Sequence, residues 1–146
     1  RRILCSAHST ISTAPTPTFR GQIERRQSKD AHLMSENPTG PQVIMLTAND
    51  VRERIAGGTA YVVDVREPHE NAQMRIAGAQ LVPLSNFNSS QITPADGQDL
   101  ILHCRSGQRC GIAADQLVAE GYSGTIYRMA GGILDWMSAD FPVETG

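Results

Sequence analysis

The chain has 146 residues, 40% of them apolar and 19% charged, which suits one ordinary domain with a buried core and is too apolar for a wholly disordered chain. A net charge of −2 gives no electrostatic reason to expect nucleic acid or an anionic membrane as partner, and no apolar run approaches the roughly 18 residues that span a bilayer. Three cysteines, Cys5, Cys104 and Cys110, are too few for a disulfide framework and indicate a soluble protein of a reducing compartment, the cytoplasm, with one or two functional thiols.

Charge is uneven along the chain. Residues 1–34 hold six basic and two acidic side chains, a balance of +4; the remainder holds seven Arg, no Lys and thirteen acids, a balance of −6. The start is rich in Ser, Thr, Pro and Arg and has no periodic apolar face. Residues 1–41 are therefore expected to be a disordered leader ending in the linker Asn37-Pro38-Thr39-Gly40-Pro41, with residues 42–146 as the folded domain. An Arg- and Ser-rich, acid-poor start fits an organelle transit peptide. Against that, the chain does not begin with Met, and Met34-Ser35-Glu36 fits a native start, which would make residues 1–33 an upstream extension. Ile3-Leu4-Cys5 is too short for the apolar stretch of a secretory signal.

The folded part alternates between two periodicities. Val43-Ile44-Met45-Leu46 is a short apolar run. Thr47 to Ile55 reads as a helix capped by Thr47 or Asn49, favoured at its start by Asp50 and Glu53 and stopped by Gly57-Gly58. Tyr61-Val62-Val63-Asp64-Val65 is a β-branched run expected to be a buried strand. Leu81-Val82-Pro83-Leu84 is a second candidate strand, kept short because Pro83 cannot donate to a ladder. Leu100-Ile101-Leu102-His103 and Thr125-Ile126-Tyr127-Arg128-Met129 are a third and a fourth. Between them, Gly111 to Glu120 sets Ile112, Ala113, Gln116, Leu117 and Ala119 around a helix that Gly121 ends, and a final helix spans Ile133 to Ala139. Strands and helices alternating in this way predict an α/β fold of three layers, a parallel sheet covered on both faces.

In such a sheet, chemistry is expected beyond the carboxyl ends of the strands. One exit stands out: Cys104-Arg105-Ser106-Gly107-Gln108-Arg109 follows a strand and runs directly into a helix. Ser106 and Gly107 permit a tight loop whose N–H groups turn inward as an anion-binding nest. The helix start and the charges of Arg105 and Arg109 would favour thiolate over thiol, so the Cys104 pKa is expected below the ordinary ~8.5. A thiolate in an anion cradle suits nucleophilic attack on an anionic substrate; the alternative is a buried structural cysteine.

Asp64-Val65-Arg66-Glu67, then Ile76-Ala77-Gly78-Ala79 and Pro83, then the Cys104 to Arg109 loop, then Gly131-Gly132-Ile133-Leu134-Asp135-Trp136 resemble a single-domain rhodanese over about residues 43–143. The resemblance implies a three-layer rhodanese-like domain with a central, about five-stranded parallel sheet, and a sulfurtransferase activity. Cys104 would attack the outer sulfur of thiosulfate or a similar small anionic donor. Sulfite would leave, and the Cys104 persulfide would pass its sulfur to cyanide, a thiol or a protein acceptor. Arg105, Ser106, Gly107, Gln108 and Arg109 would cradle the donor, and no metal or organic cofactor is implied. Related phosphatases and arsenate reductases carry a longer Cys-x5-Arg loop. Four residues separate Cys104 from Arg109, a smaller cradle that suits one sulfane sulfur better than a tetrahedral oxyanion. A sulfur-carrier or redox module, or a non-catalytic binding module, are the competing readings.

Around this loop, Asp64 and Arg66 either orient it or form an ordinary ion pair at a strand end. Arg75 stands where the family usually has His. Strand alternation points His103 away from Cys104 and makes it a packing or surface residue. Cys110 stands where a Ser is common: it is either a small residue in the first helical turn or a resolving thiol that closes a 104–110 disulfide. Cys104, Cys110 and His103 lack the short paired spacings of a zinc site. Trp136 is expected to anchor the last helix in the core. Pocket walls that choose the donor are expected from loops such as Ser85 to Gln98.

Overall fold

Five short strands hydrogen-bond side by side in the order β1-β5-β4-β2-β3, and every pairing among them is parallel. A computed structural model of the chain describes residues 40–146. The expected leader and most of its linker, with Cys5 and Met34, lie outside the described residues. In chain order the elements are β1 (Val43–Leu46), α1 (Ala48–Ala56), β2 (Ala60–Asp64), α2 (Pro68–Gln73), β3 (Gln80–Leu81), β4 (Asp99–His103), α3 (Arg109–Ala119), β5 (Ile126–Met129) and α4 (Gly132–Ser138). Among the described residues no helix is long and apolar enough to cross a membrane.

Strand alternation sorts the core onto two faces. From β4, Leu100 and Leu102 join Val63, Val65, Ala113 and Leu117 in a cluster under α3. Ile101 faces the opposite way, into a cluster with Val51 of α1 and with Ile133 and Trp136 of α4. The result is a sheet between two helical layers, the α/β architecture that the alternating periods predict. Ile101 and Leu102 are 0% exposed, each worth about 1.5–3 kcal/mol of burial. Trp136 packs edge-on against Phe141 with ring centroids 5.0 Å apart and donates Nε1–H to the Pro142 carbonyl at 3.0 Å, which makes it the anchor its position suggested.

Helix α1 is capped as its sequence predicts: Thr47 Oγ1 accepts from the Asp50 amide at 3.2 Å, and Asp50 Oδ2 accepts from the Thr47 amide at 2.9 Å. Two expectations need correction, the strand at Leu81 and the absence of a helix after β2. The candidate strand Leu81–Leu84 shrinks to Gln80–Leu81. Pro83 ends the ladder there, and Leu84–Asn86 tightens into a 3-10 turn. Ile112 is 52% exposed, because the buried face of α3 is Cys110, Ala113, Ala114 and Leu117. Helix α2 was not expected at all. It buries none of its six residues, so no apolar period announces it; its marks are Pro68 in the first turn and Glu70 closing a capping box with Glu67.

Candidate active site

Strand β4 delivers its chain into the loop Cys104 to Gln108, and α3 starts at Arg109. Gly107 turns the loop at φ +96°, and its N–H donates to Cys104 Sγ at 3.1 Å. A Cβ there would lie 3.2 Å from the Gly131 nitrogen, so the loop and the start of α4 are in backbone contact. That contact is hydrogen-bonded. The Ile133 N–H donates to the Cys104 carbonyl at 2.9 Å and the Leu134 N–H to the Arg105 carbonyl at 3.2 Å. Free amides at a helix start thus hold the outer carbonyls of the loop while its inner amides stay available to the sulfur.

Cys104 is 1% exposed, yet its thiol is lowered to about 5. The largest cause is a hydrogen bond from the Cys110 thiol. Burial opposes it, and the amides of Cys110, Gly107 and Ser106 add to it. This revises the expected cause. Arg109 is not free to act on the sulfur as a lone cation, because Nη1 and Nη2 form a two-pronged pair with Glu70 of α2 at 2.6 and 2.8 Å. The pair draws the Glu70 carboxyl down to about 2. Arg105 is exposed and makes no salt bridge among the described residues. Ser106 and Gln108 are exposed along the same loop.

Cys110 is wholly buried. Its thiol also reaches the Gly107 carbonyl at 2.9 Å, and Arg128 Nη2 donates to that same carbonyl at 2.9 Å. The neighbouring Cys104 sulfur, followed by burial, pushes the Cys110 thiol far above its ordinary value. The proton therefore stays on Cys110 while Cys104 is the thiolate. Labelling of Cys104 by iodoacetamide, followed across pH by peptide mass, is expected to be half-maximal near pH 5 and to fall below that pH as the thiolate is protonated. Cys110→Ala removes the first cause and should move the midpoint up by at least about one pH unit, whereas Cys110→Ser keeps an O–H donor and should move it less. Equal midpoints for wild type and Cys110→Ala would show that the amides alone hold the thiolate.

Behind the loop, Asp64 and Arg66 form a buried pair with Nη2 2.6 Å from Oδ2. Burial alone would raise the Asp64 carboxyl; Arg66, His103 and Asn71 outweigh it and hold it below the usual range. Arg66 Nη2 also donates to the Met74 carbonyl at 2.7 Å, tying the exit of β2 to the end of α2. His103, 0% exposed, is a packing residue as strand alternation predicts; its Nε2 lies 3.8 Å from Asp64 and has no hydrogen bond. Arg75 pairs with Glu144 at 3.1 Å.

A cavity of about 510 Å³ opens beside the loop, walled by Arg66, His69, Arg105, Met74, Leu134 and Met137 among others. None of its lining comes from Ser85 to Gln98; Leu84 to Phe87 share a separate hollow with Gln116 of α3. Among the described residues no group of three or more His, Cys, Asp and Glu is placed to hold a metal ion. Two residues of the site escaped the sequence reading. Glu70 lies on the unannounced helix α2, and Arg128, a charge inside an otherwise apolar-looking strand, was the one signal available for a polar partner at the sheet's end.

A family model described as a rhodanese-like domain matches residues 47–139. The chain is 36% identical over 110 residues to a protein of uncharacterised function from Synechocystis, covering 75% of this chain and 59% of that one. It is 36% identical over 88 residues to a thiosulfate sulfurtransferase of Pseudomonas fluorescens, covering 59% of this chain and 77% of the relative. The crystal structure of a rhodanese-related protein from Thermoplasma volcanium superposes with a TM-score of 0.61 at 29% identity, over 70% of this chain and 99% of that one.

Proposed function

Because the chain belongs to the family of rhodanese-like domains, we propose that it is a sulfurtransferase that takes sulfane sulfur from thiosulfate or a similar anionic donor through a Cys104 persulfide. The observation that carries this reading is the Cys104 sulfur itself: buried, lowered to about 5, and held by the Gly107 amide and the Cys110 thiol at the inner end of the cavity loop. At neutral pH it is a thiolate. It attacks the outer sulfur of the donor, the donor's S–S bond breaks with its electron pair, and sulfite departs. The acceptor thiol or cyanide then takes the outer sulfur and restores the thiolate, a two-step covalent cycle with ping-pong kinetics.

In this reading the loop residues divide their work. The amides of Arg105 to Arg109 cradle the persulfide. Arg105, without a carboxylate partner among the described residues, lines the cavity and holds the oxyanion end of the donor, with Ser106 and Gln108 beside it. Arg109 supports the loop from its far end by clamping Glu70, and Asp64 with Arg66 fixes the cavity floor. The name of the Pseudomonas relative favours thiosulfate as donor. A reducing compartment such as the cytoplasm would keep both thiols of the loop reduced.

A protein acceptor is favoured by one further observation: Leu134 and Met137 are 44% and 40% exposed at the cavity rim, apolar area that a small anion does not use. The deciding assay is thiocyanate formation from thiosulfate and cyanide. Robust turnover is expected. A chain that is inert toward thiosulfate, yet acquires a cyanide-releasable sulfur from a persulfide-bearing protein, is a sulfur carrier. No sulfur on Cys104 from either donor would overturn both and leave a binding module.

A further inference from the structure

The cradle holds a second thiol, and the two cysteines pack in one buried cluster. Cys104 and Cys110 are both buried, and both engage Gly107: its N–H donates to Cys104 Sγ at 3.1 Å, and its carbonyl accepts from the Cys110 thiol at 2.9 Å. One glycine residue thereby engages both sulfurs. Only five residues separate them, and Cys110 lies in the first turn of α3, on the buried face that packs with Cys104. The Gly107 carbonyl does not depend on Cys110, because Arg128 Nη2 also donates to it at 2.9 Å. The thiol can therefore turn away without leaving a buried acceptor unpaired.

We propose that Cys110 is a resolving thiol: when no acceptor is present, it attacks Sγ of the Cys104 persulfide, closes a Cys104–Cys110 disulfide and expels the sulfane sulfur as hydrosulfide. This rests on the sulfurtransferase reading and deepens it. The step balances within the chain. The Cys104 Sγ–sulfane bond and the Cys110 S–H bond break, and the Sγ–Sγ bond forms. The electron pair of the broken S–S bond leaves on the sulfane sulfur, which takes up the Cys110 proton and departs as HS⁻. The sulfane sulfur is reduced and the Cys110 sulfur is oxidised, while Cys104 Sγ keeps the oxidation state it already had in the persulfide, so the persulfide is itself the oxidant. A dithiol reductant of the disulfide-exchange class returns both cysteines to thiols.

The charge arrangement explains why Cys110 waits for the persulfide. While Cys104 is a thiolate, its hydrogen bond and the burial of the pair keep Cys110 protonated and unreactive. In the persulfide the negative charge has moved outward to the sulfane sulfur, and Sγ of Cys104 has become an electrophile. The Arg128 guanidinium, which favours the Cys110 thiolate, remains beside it. Cys110 thus stabilises the nucleophile before loading and unloads it afterwards, so that an idle persulfide ends as sulfide and a closed loop.

The test uses the full chain. Reduced wild type and Cys110→Ser are loaded with thiosulfate, freed of excess by desalting, and left without acceptor while sulfide and intact mass are followed. Both are expected to load first, gaining about 32 Da as a persulfide. Wild type should then release about one equivalent of sulfide and end about 2 Da below the reduced chain, whereas Cys110→Ser keeps its added sulfur. Because Arg105 and Arg109 lie between the cysteines, trypsin separates them unless a disulfide joins the peptides, which distinguishes this bond from one to Cys5. A wild-type persulfide that persists without sulfide release, or a disulfide that involves only Cys5, overturns the proposal while leaving sulfur transfer intact. The wild-type arm decides this even if the variant misfolds. A chain that never gains the sulfur overturns the sulfurtransferase reading and this proposal with it.

Discussion

Replacing Cys104 by Ser should abolish thiocyanate formation from thiosulfate, lowering kcat/KM by about 10³-fold or more. The side chains are nearly the same size, and the Gly107 amide that donates to Sγ at 3.1 Å can donate to a hydroxyl oxygen instead. What changes is the nucleophile. The Cys104 thiol is lowered to about 5 and is a thiolate at neutral pH; a serine hydroxyl in the same cradle stays protonated and cannot carry sulfane sulfur. The position is 1% exposed and accepts hydrogen bonds, so the fold should be kept, with a melting temperature within a few degrees of wild type (roughly 1 kcal/mol or less). More than about a tenth of wild-type turnover remaining in a folded Cys104→Ser chain would place the chemistry on another residue.

Gly132→Ala is expected to damage both stability and activity although residue 132 carries no side chain that could touch a substrate. Gly132 sits at φ +59°, and a Cβ there would lie 2.4 Å from the Cys104 carbonyl oxygen and 2.5 Å from the Arg105 carbonyl carbon. Both obstacles are backbone, so neither can rotate aside. Relief requires moving the loop away from α4, which breaks the Ile133 and Leu134 amide bonds to the Cys104 and Arg105 carbonyls. A loss of about 2–4 kcal/mol in denaturant unfolding is expected from clash, strain and lost bonds together. Displacement of the cradle by even ~1 Å should cost on the order of 10²-fold in turnover. Gly58→Ala is the control, since Gly58 has φ +73° but nothing within 4 Å of an added Cβ. It should cost only the backbone strain, about 1–2 kcal/mol, with turnover unchanged. If the two variants behave alike, the close approach of α4 to the loop has no role in holding it.

Much of the fold follows from local pattern. The runs Tyr61 to Val65 and Leu100 to His103 are apolar and β-branched enough to be buried strands, and they became β2 and β4 within one residue of the expected limits. The Thr47 cap and the Gly57 stop of α1 were equally readable, because capping is chemistry between residues three or four apart. Helix α2 buries nothing, so it leaves no hydrophobic period. Ile112, apolar in composition, faces solvent because the buried face of α3 is set by Cys110, Ala113 and Leu117.

The sequence by itself determined that this is an alternating α/β chain and that Cys104 leaves a strand into a short glycine loop before a helix, since those features rest on neighbours along the chain. Only the tertiary structure decided which groups surround the sulfur. As charges of the same loop, Arg105 and Arg109 are expected to lower Cys104; folding instead joins Arg109 to Glu70, 39 residues away, and makes the Cys110 thiol the first cause. Arg128 reaches the Gly107 carbonyl from 21 residues away because β5 lies beside β4. Strand order brings these groups together, and strand order is not written in the period of any one segment. Electrostatics at the sulfur depends on which donors lie within hydrogen-bond reach in space, so two arginines of the same loop count for less than one thiol that the helix turns inward.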